Sequence, residues 1–144
     1  MTETTGLNVL YTATAHATGD GRNGHATTDD GRFDLDLRIP KEMGGPGGAT
    51  NPEQLFAIGY AACFHSALKV VGRRRSLDVD GSEVSATVGI GALADGGFGL
   101  AVELDVHVPA LDAATAGALA ADAHQVCPYS NATRGNIEVK LTVV

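Results

Sequence analysis

Alternating apolar and polar positions predict three strands in the first third of the chain. From Leu7 to Ala17 every second residue is apolar or small, the pattern of a half-buried strand. A turn at 19–24, rich in residues that tolerate positive φ, leads into a second strand at His25–Thr28. After a turn at 29–31, the segment Phe33–Ile39 alternates again. These segments predict a three-stranded antiparallel meander.

A long helix is predicted after the glycine-rich stretch 40–52. That stretch could be a flexible linker, but we expect an ordered loop because it leads directly into a helix start. Asn51 is a suitable N-cap and Pro52 fits the first helical position. The helix should continue to about Val71 and stop at Gly72. Apolar residues cover nearly its whole circumference, which predicts a buried, central helix.

The second half of the chain predicts more strands and one more main helix. The alternating segments are Val84–Leu93, Phe98–Val108 and Gly135–Val144. A turn at 95–97 makes the first two a hairpin. Asp112 can cap an alanine-rich helix that runs to about Val126 and is stopped by Pro128. The order βββ-α-ββ-α-β predicts an α+β fold with antiparallel sheets and two main helices, in one domain spanning residues 1–144.

Composition and charge narrow the classes of partner. The chain has 144 residues, 44% of them hydrophobic and 19% charged, which is ordinary for a globular protein. A chain of this size buries only about two-thirds of its unfolded surface, so dimerisation would be a natural supplement. The formal net charge of -7 argues against nucleic acid and anionic membranes as partners. The basic cluster Arg73–Arg75 is expected to be a solvated helix end.

The location expected from the sequence is the cytoplasm. The first residues show neither a basic region nor an apolar stretch of a secretory signal. The longest apolar run, Leu55–Val71, is interrupted by polar residues and is slightly short for a bilayer, so no membrane span is expected. In a reducing compartment the two cysteines would be redox-catalytic, metal-binding or incidental, and not a structural disulfide.

The two cysteines have different local settings. Cys63 lies in the middle of the buried helix, where it could simply be a small core residue. A reactive Cys63 would need a nearby cation to hold its thiolate, since a mid-helix position gains nothing from the helix dipole. Cys127 lies at the carboxyl end of the second helix, where the dipole disfavours a thiolate. If either cysteine is the primary nucleophile, it should be Cys63.

A zinc site is an alternative use of these cysteines. Cys63-x-His65 and His124-x-x-Cys127 together supply two sulfur and two nitrogen ligands, which zinc accepts. The second pair shares a helix face, but residues two apart on a helix point about 200° away from each other. This spacing disfavours zinc without excluding it. A cysteine–histidine hydrolase has no local signature in this sequence.

Two motifs resemble one known family along essentially the whole chain. They are Asn51-Pro-Glu-Gln-Leu-Phe-Ala-x-Gly-Tyr-x-Ala-Cys63-Phe and His124-Gln-Val-Cys127-Pro-Tyr-Ser-Asn-Ala-Thr-Arg-Gly-Asn136. The opening Tyr11-Thr-Ala-Thr-Ala and the loop Gly44-Gly45-x-Gly47-Gly48 fit as well. The chain resembles the organic hydroperoxide resistance (Ohr) branch of the Ohr/OsmC family, since Val-Cys-Pro-Tyr-Ser around Cys127 is closer to that branch than to OsmC.

The resemblance implies a thiol-dependent peroxidase that reduces organic and fatty-acid hydroperoxides to alcohols and protects against oxidative stress. By motif, Cys63 would attack the peroxide and become a sulfenic acid, and Cys127 would resolve it as a disulfide. A dihydrolipoyl protein or another dithiol would reduce that disulfide, and no cofactor or metal is expected. The family's arginine falls on Arg22 and its glutamate on Glu53. The resemblance also implies an intertwined homodimer with shared active sites.

Helix geometry bears on the role of Glu53. Glu53 and Cys63 are ten residues apart on one helix, hence about 15 Å along its axis. If both belong to one site, Glu53, and with it Arg22, should come from the partner chain. Without the resemblance, Glu53 would be a first-turn acid that complements the dipole, and Arg22 a solvated turn residue.

Two further functions stay open on the sequence alone. One is an OsmC-like enzyme with a broader peroxide preference and a different reductant. The other is a zinc-stabilised or ligand-binding domain without turnover. An organic peroxide also needs an apolar surface. Weak candidates for it are Phe33, Ile39, Met43 and Phe98.

Overall fold

The computed structural model describes residues 6–144. The first five residues, on which the expectation of no secretory signal partly rests, lie outside the described residues. The chain divides into two compact units, one ending at Pro52 and the other comprising Glu53–Val144. That the whole chain is one domain stays a prediction. Each unit is described by itself below.

The first unit contains the predicted meander. Its strands are β1 (Ala15–Thr18), β2 (His25–Thr28) and β3 (Asp34–Asp36), paired antiparallel in that order. The predicted turn after β1 contains a short 3-10 helix, Gly21–Asn23. A second 3-10 helix, Lys41–Met43, lies in the glycine-rich loop. The Gly47 N–H donates to the Ile39 carbonyl at 2.9 Å, so this loop is held in place and is not a free linker.

The first predicted strand is wrong over most of its length. Pairing with β2 begins only at Ala15, and residues 7–14 form no strand in this chain. Leu7 is 78% exposed and Leu10 is 92% exposed. Alternation of apolar and polar residues indicates which side chains one face of a strand would bury. A strand also needs a hydrogen-bonded neighbouring strand, and the described residues supply one only from Ala15 onward. The apolar side chains of 7–11 are thus left uncovered within the chain.

The second unit contains most of the predicted elements. They are α1 (Pro52–Arg74), β4 (Glu83–Ala92), β5 (Phe98–His107), α2 (Ala113–Val126), α3 (Pro128–Thr133) and β6 (Val139–Val143). Asp112 caps α2 as predicted, since its Oδ1 accepts the Thr115 N–H at 2.7 Å. The short helix α3 was not predicted. Pro128 was interpreted only as a stop for α2, yet proline equally suits the first position of a new helix.

Helix α1 starts where predicted but runs past Gly72 and is buried on one face only. Gly72 lies inside the helix, where Val79 packs so closely that a Cβ would fall 2.6 Å from Val79 Cγ1. Tyr60 and Phe64 are fully buried, whereas Ile58 on another face is 60% exposed. The prediction of burial around the whole circumference is therefore wrong for the single chain.

By length and composition, α1 is also the one helix in residues 6–144 that could cross a membrane. The core helix of a soluble protein meets the same criteria. One face of α1 does pack in the core of its unit, so this feature carries little weight.

The second sheet has the order β4-β5-β6 and one pairing that differs from expectation. Strands β4 and β5 form the predicted antiparallel hairpin, but β6 pairs parallel to β5. Parallel neighbours need a crossover connection, and α2 with α3 provides it. The core lies between this sheet, α1 and α2. Its fully buried side chains include Leu68, Leu104 and Leu119.

Candidate active site

The two cysteines meet inside the second unit. Cys63 lies on α1, Cys127 lies between α2 and α3, and their Sγ atoms are 3.5 Å apart. Both are free thiols. Cys127 is fully buried, and Cys63 is partly exposed. The expectation that the two sulfurs come together is confirmed, while their catalytic roles stay predictions.

The junction of two helices holds Cys127 in place. Its φ of -59° and ψ of 125° are not helical, and Cys127 is both the C-cap residue of α2 and the N-cap residue of α3. Its N–H donates to the Ala123 carbonyl at 2.8 Å, and its own carbonyl accepts the Asn131 N–H at 3.0 Å. Pro128 enforces the bend, because the residue before a proline is kept out of helical geometry. Cys127 is thus fixed to both helices.

Burial dominates the protonation of Cys63. Burial raises the pKa of the Cys63 thiol from its ordinary value of 9.0 to about 11. The Tyr129 backbone N–H donates to this sulfur and lowers the pKa, whereas Cys127 raises it. With this pKa only about one thiol in 10⁴ is ionised at pH 7. These groups alone do not make a reactive thiolate. A nucleophilic Cys63 therefore needs a cation in addition.

An aromatic cluster lies against the part of α1 that precedes Cys63. Phe56, Tyr60 and Tyr129 form a cluster with ring centroids 5.8–6.2 Å apart. A Cβ on Gly59 would fall 3.0 Å from the Tyr129 ring, so this glycine lets the ring lie against α1 one turn before Cys63. Sequence reasoning missed Tyr129. A lone glycine within an apolar helix was the available signal, since it marks a close approach.

A polar network joins the helices on either side of Cys127 to the helix that carries Cys63. The Tyr60 hydroxyl is 2.8 Å from Ser130 Oγ and 3.1 Å from Thr133 Oγ1. The imidazole Nδ1 of His124 is 2.7 Å from Ser130 Oγ. Tyr60, Ser130 and Thr133 are all buried. Sequence reasoning assigned Tyr60, Ser130 and Thr133 no role and considered His124 only as a zinc ligand. Only the position of these residues within the two cysteine motifs could have pointed to them.

The other two predicted site residues lie farther along the chain from Cys63. Arg22 is half-buried in the 3-10 helix Gly21–Asn23 of the first unit. Glu53 lies in the first turn of α1, about 15 Å along the axis from Cys63. Neither the association of Arg22 with Cys63 nor that of Glu53 with Arg22 is established by this placement. Both stay predictions.

The predicted apolar candidates for substrate binding lie in separate places. Phe33, Ile39 and Met43 belong to the first unit, and Phe98 begins β5 in the second. Phe33, Met43 and Phe98 are exposed. Their contribution to a peroxide-binding surface stays a prediction.

The histidines of the proposed zinc set bind hydroxyl groups. His65 Nε2 is 2.9 Å from Ser82 Oγ, and His124 Nδ1 binds Ser130 as described. Among residues 6–144, no three side chains of His, Cys, Asp or Glu are grouped so that they could hold a metal ion. The described chain therefore does not assemble the four-ligand zinc site considered from the sequence.

Comparison with known proteins gives one consistent result. Residues 45–142 match the family described as OsmC-like protein. The organic hydroperoxide resistance protein of Xanthomonas axonopodis pv. citri (strain 306) is 55% identical over 137 residues, covering 94% of this chain and 95% of that protein. The organic hydroperoxide resistance protein OhrB of Bacillus subtilis (strain 168) is 48% identical over 135 residues, covering 92% of this chain and 96% of that protein.

Solved structures agree with this assignment. The crystal structure of an organic hydroperoxide resistance protein from Elizabethkingia anophelis has a TM-score of 0.90 and 52% identity, covering 95% of this chain and 98% of that one. A candidate organic hydroperoxide resistance protein from Vibrio cholerae, with captopril bound in one of its active sites, has a TM-score of 0.90 and 50% identity, covering 95% and 94%. The α+β fold expected from the sequence is confirmed. The chain belongs to the organic hydroperoxide resistance proteins of the OsmC-like family.

Proposed function

We propose that this protein is a cysteine-based peroxidase that reduces organic hydroperoxides to alcohols. Its family relates the chain to organic hydroperoxide resistance. The observation that carries the mechanism is the 3.5 Å separation of the Cys63 and Cys127 sulfurs. Two free thiols in contact can be oxidised to a disulfide with little rearrangement, since Sγ atoms need to approach to about 2.05 Å.

Cys63 takes the first step because it is the more exposed of the two thiols. Its thiolate attacks the outer oxygen of the hydroperoxide, the O–O bond breaks, and the inner oxygen leaves and is protonated to the alcohol. The sulfur is oxidised to a sulfenic acid and the peroxide is reduced by two electrons. Cys63 is partly exposed, and Ala62 and Ser66 on the same helix are exposed.

Cys127 completes the cycle. Its sulfur attacks the sulfenic sulfur of Cys63, a disulfide forms, and the hydroxyl leaves as water with the proton of the Cys127 thiol. An external dithiol then reduces the disulfide through a mixed disulfide and becomes oxidised itself. We infer a dihydrolipoyl protein or a similar dithiol as that reductant. Captopril, itself a small thiol, occupies an active site of the Vibrio cholerae relative, which supports access for such compounds.

Because burial raises the pKa of Cys63, this thiol needs a nearby cation to become a nucleophilic thiolate. We assign that role to Arg22, whose guanidinium is always charged and can also hold the oxygens of the hydroperoxide. Glu53 would orient Arg22 through a paired hydrogen bond. Because Glu53 lies about 15 Å along α1 from Cys63, this pair is assigned to the partner subunit of a homodimer.

Uncovered apolar side chains support the same dimer. Leu7, Leu10 and Tyr11 in the first unit are each at least 78% exposed. Ile58 on α1 is 60% exposed, two residues from the aromatic cluster at Tyr60. A second copy of this chain that covers these residues would complete the burial that the sequence pattern predicts. We place the homodimer in the cytoplasm, where dithiol reductants are available.

Turnover with different peroxides tests the proposed function. The reduced protein should consume tert-butyl and linoleic hydroperoxide faster than hydrogen peroxide when a dihydrolipoyl compound is supplied. Equal or faster use of hydrogen peroxide would favour the OsmC-like alternative.

Two cysteine variants separate the proposed roles. Cys63→Ser should be inactive. Cys127→Ser should reduce one equivalent of peroxide and then accumulate over-oxidised Cys63, which intact-protein mass spectrometry detects. Full turnover by both variants would refute the proposed roles.

A further inference from the structure

Hydroxyl groups join three helices at positions that bracket both sulfurs. Tyr60 lies on α1, three residues before Cys63. Ser130 lies on α3, three residues after Cys127, and His124 lies on α2, three residues before it. The 2.7 Å bond between His124 and Ser130 therefore spans the bend at Cys127. The 2.8 Å bond between Ser130 and Tyr60 ties that bend to the helix that carries Cys63.

The direction of every hydrogen bond in this network follows from counting protons. The Thr133 hydroxyl must donate to the Ser130 carbonyl, 3.2 Å away, because a carbonyl only accepts. Its contact with Tyr60 therefore uses the Tyr60 proton, so Tyr60 accepts from the Ser130 hydroxyl. Ser130 has then used its one proton and must accept from His124. His124 thus carries a proton on Nδ1.

This direction makes the network insensitive to the charge of the imidazole. Burial, with the charge of Arg134, lowers the pKa of His124, which keeps the ring neutral near pH 7. A neutral ring protonated on Nδ1 and a charged ring both donate from Nδ1. The chain His124–Ser130–Tyr60–Thr133 therefore stays complete in either state, and hydrogen bonds that run in one direction reinforce each other.

We propose that His124, Ser130 and Tyr60 are positioning residues for the resolving step, which hold the Cys127 sulfur against Cys63. This proposal rests on the proposed function. None of the three residues is assigned a contact with the peroxide, so the first chemical step should not depend on them.

The network acts at a branch point of the chemistry. The sulfenic acid of Cys63 can condense with the Cys127 thiol to give a disulfide and water. It can instead attack a second hydroperoxide molecule, which oxidises it to a sulfinic acid and releases a second alcohol. Displacement of Cys127 slows disulfide formation and so increases the share of Cys63 that is over-oxidised. Sensitivity to over-oxidation is therefore the property that reports on the position of Cys127.

Removal of the central hydroxyl is the primary test. Ser130→Ala leaves Tyr60 without its donor and His124 without its acceptor. We expect Cys63 in the full-length variant to react with the first equivalent of tert-butyl hydroperoxide at the native rate. Half-maximal over-oxidation, measured by intact-protein mass spectrometry, should then occur at about tenfold lower peroxide concentration, as expected for the loss of buried hydrogen bonds.

A matched control is available in the same unit. Ser82→Ala also removes a serine hydroxyl bound to a histidine, His65, but this pair lies outside the His124–Ser130–Tyr60–Thr133 network. It should show the native over-oxidation profile. If Ser130→Ala matches native and Ser82→Ala, the network proposal is overturned while the peroxidase stands. If the native protein itself forms no disulfide with one equivalent of peroxide, the proposed function fails and this proposal with it.

Substitutions of His124 test the hydrogen bond at Nδ1 independently of how well Ser130→Ala folds. The amide nitrogen of asparagine is attached at the same carbon position as Nδ1, whereas that of glutamine resembles Nε2 in reach. His124→Asn should therefore keep over-oxidation within about twofold of native, and His124→Gln should behave like Ser130→Ala. Equal profiles for the two substitutions would refute the need for a hydrogen bond at the Nδ1 position.

Discussion

Oxidation of the two cysteines should stabilise the fold by an amount that the structure allows us to work out. Cys63 and Cys127 are 64 positions apart along the chain. Cross-linking them removes loop-closure entropy from the unfolded chain worth about 4 kcal/mol at 25 °C. The sulfurs must approach each other by about 1.5 Å to bond, which sets some strain against this gain. We therefore expect the free energy of unfolding to rise by about 2–4 kcal/mol.

Urea unfolding of the reduced and the peroxide-treated protein measures this difference. The chain has no tryptophan, so circular dichroism should follow the transition. With a slope of about 2 kcal/mol/M, the midpoint should rise by about 1–2 M. Both forms must be compared at one protein concentration, because the proposed dimerisation would contribute to stability. Cys127→Ser should show no increase after the same treatment. An oxidised native protein that unfolds at the same or lower urea would refute the reasoning from sulfur contact.

Three further predictions test the cation, the packing of α1 and the cap of α2. Burial raises the pKa of Cys63 to about 11. In Arg22→Met the rate of Cys63 alkylation should therefore rise about tenfold per pH unit from pH 7 to 10, whereas the native rate should level off at lower pH. Equal profiles would exclude Arg22 as the cation. Gly72→Ala should lower the free energy of unfolding by about 1–2 kcal/mol, since overpacking against Val79 exceeds the gain in helix propensity; a more stable variant would contradict this. Asp112→Ala should lower the urea midpoint of unfolding and Asp112→Asn should lower it much less, since asparagine can also cap the helix; equal losses would contradict the cap.

Local signals predicted the elements of the fold well. The start of α1 at Pro52, the cap at Asp112 and the β4–β5 hairpin depend on short-range rules, and the structure confirms them. The end of α1 was misplaced, because whether a glycine stops a helix depends on what packs against it. At Gly72 that neighbour is Val79, which the sequence pattern alone does not identify.

Long-range features were harder to predict. Alternation over Leu7–Ala17 predicts a strand throughout, but residues 6–144 offer no strand to pair with residues 7–14. The parallel pairing of β6 with β5 depends on the path of the connection through α2 and α3. No local sequence pattern encodes that path. Helix α1 shows the same limit. Its apolar residues cover nearly the whole circumference, but the chain itself buries only one face.

The candidate site was predictable in part. The family motifs pointed to Cys63 and Cys127, and the structure brings their sulfurs together. The network of Tyr60, Ser130 and His124 was not predicted. Hydroxyl and imidazole groups are common in helices, and their importance becomes visible only when three helices bring them within hydrogen-bond distance.

Reaction of the reduced protein with one equivalent of tert-butyl hydroperoxide tests the central claim most directly. We predict one equivalent of tert-butyl alcohol and a loss of two hydrogen atoms per chain. Peptide mapping should show a single cross-link between Cys63 and Cys127. Recovery of the alcohol with both cysteines still free to alkylate, or no consumption of peroxide, would contradict the account.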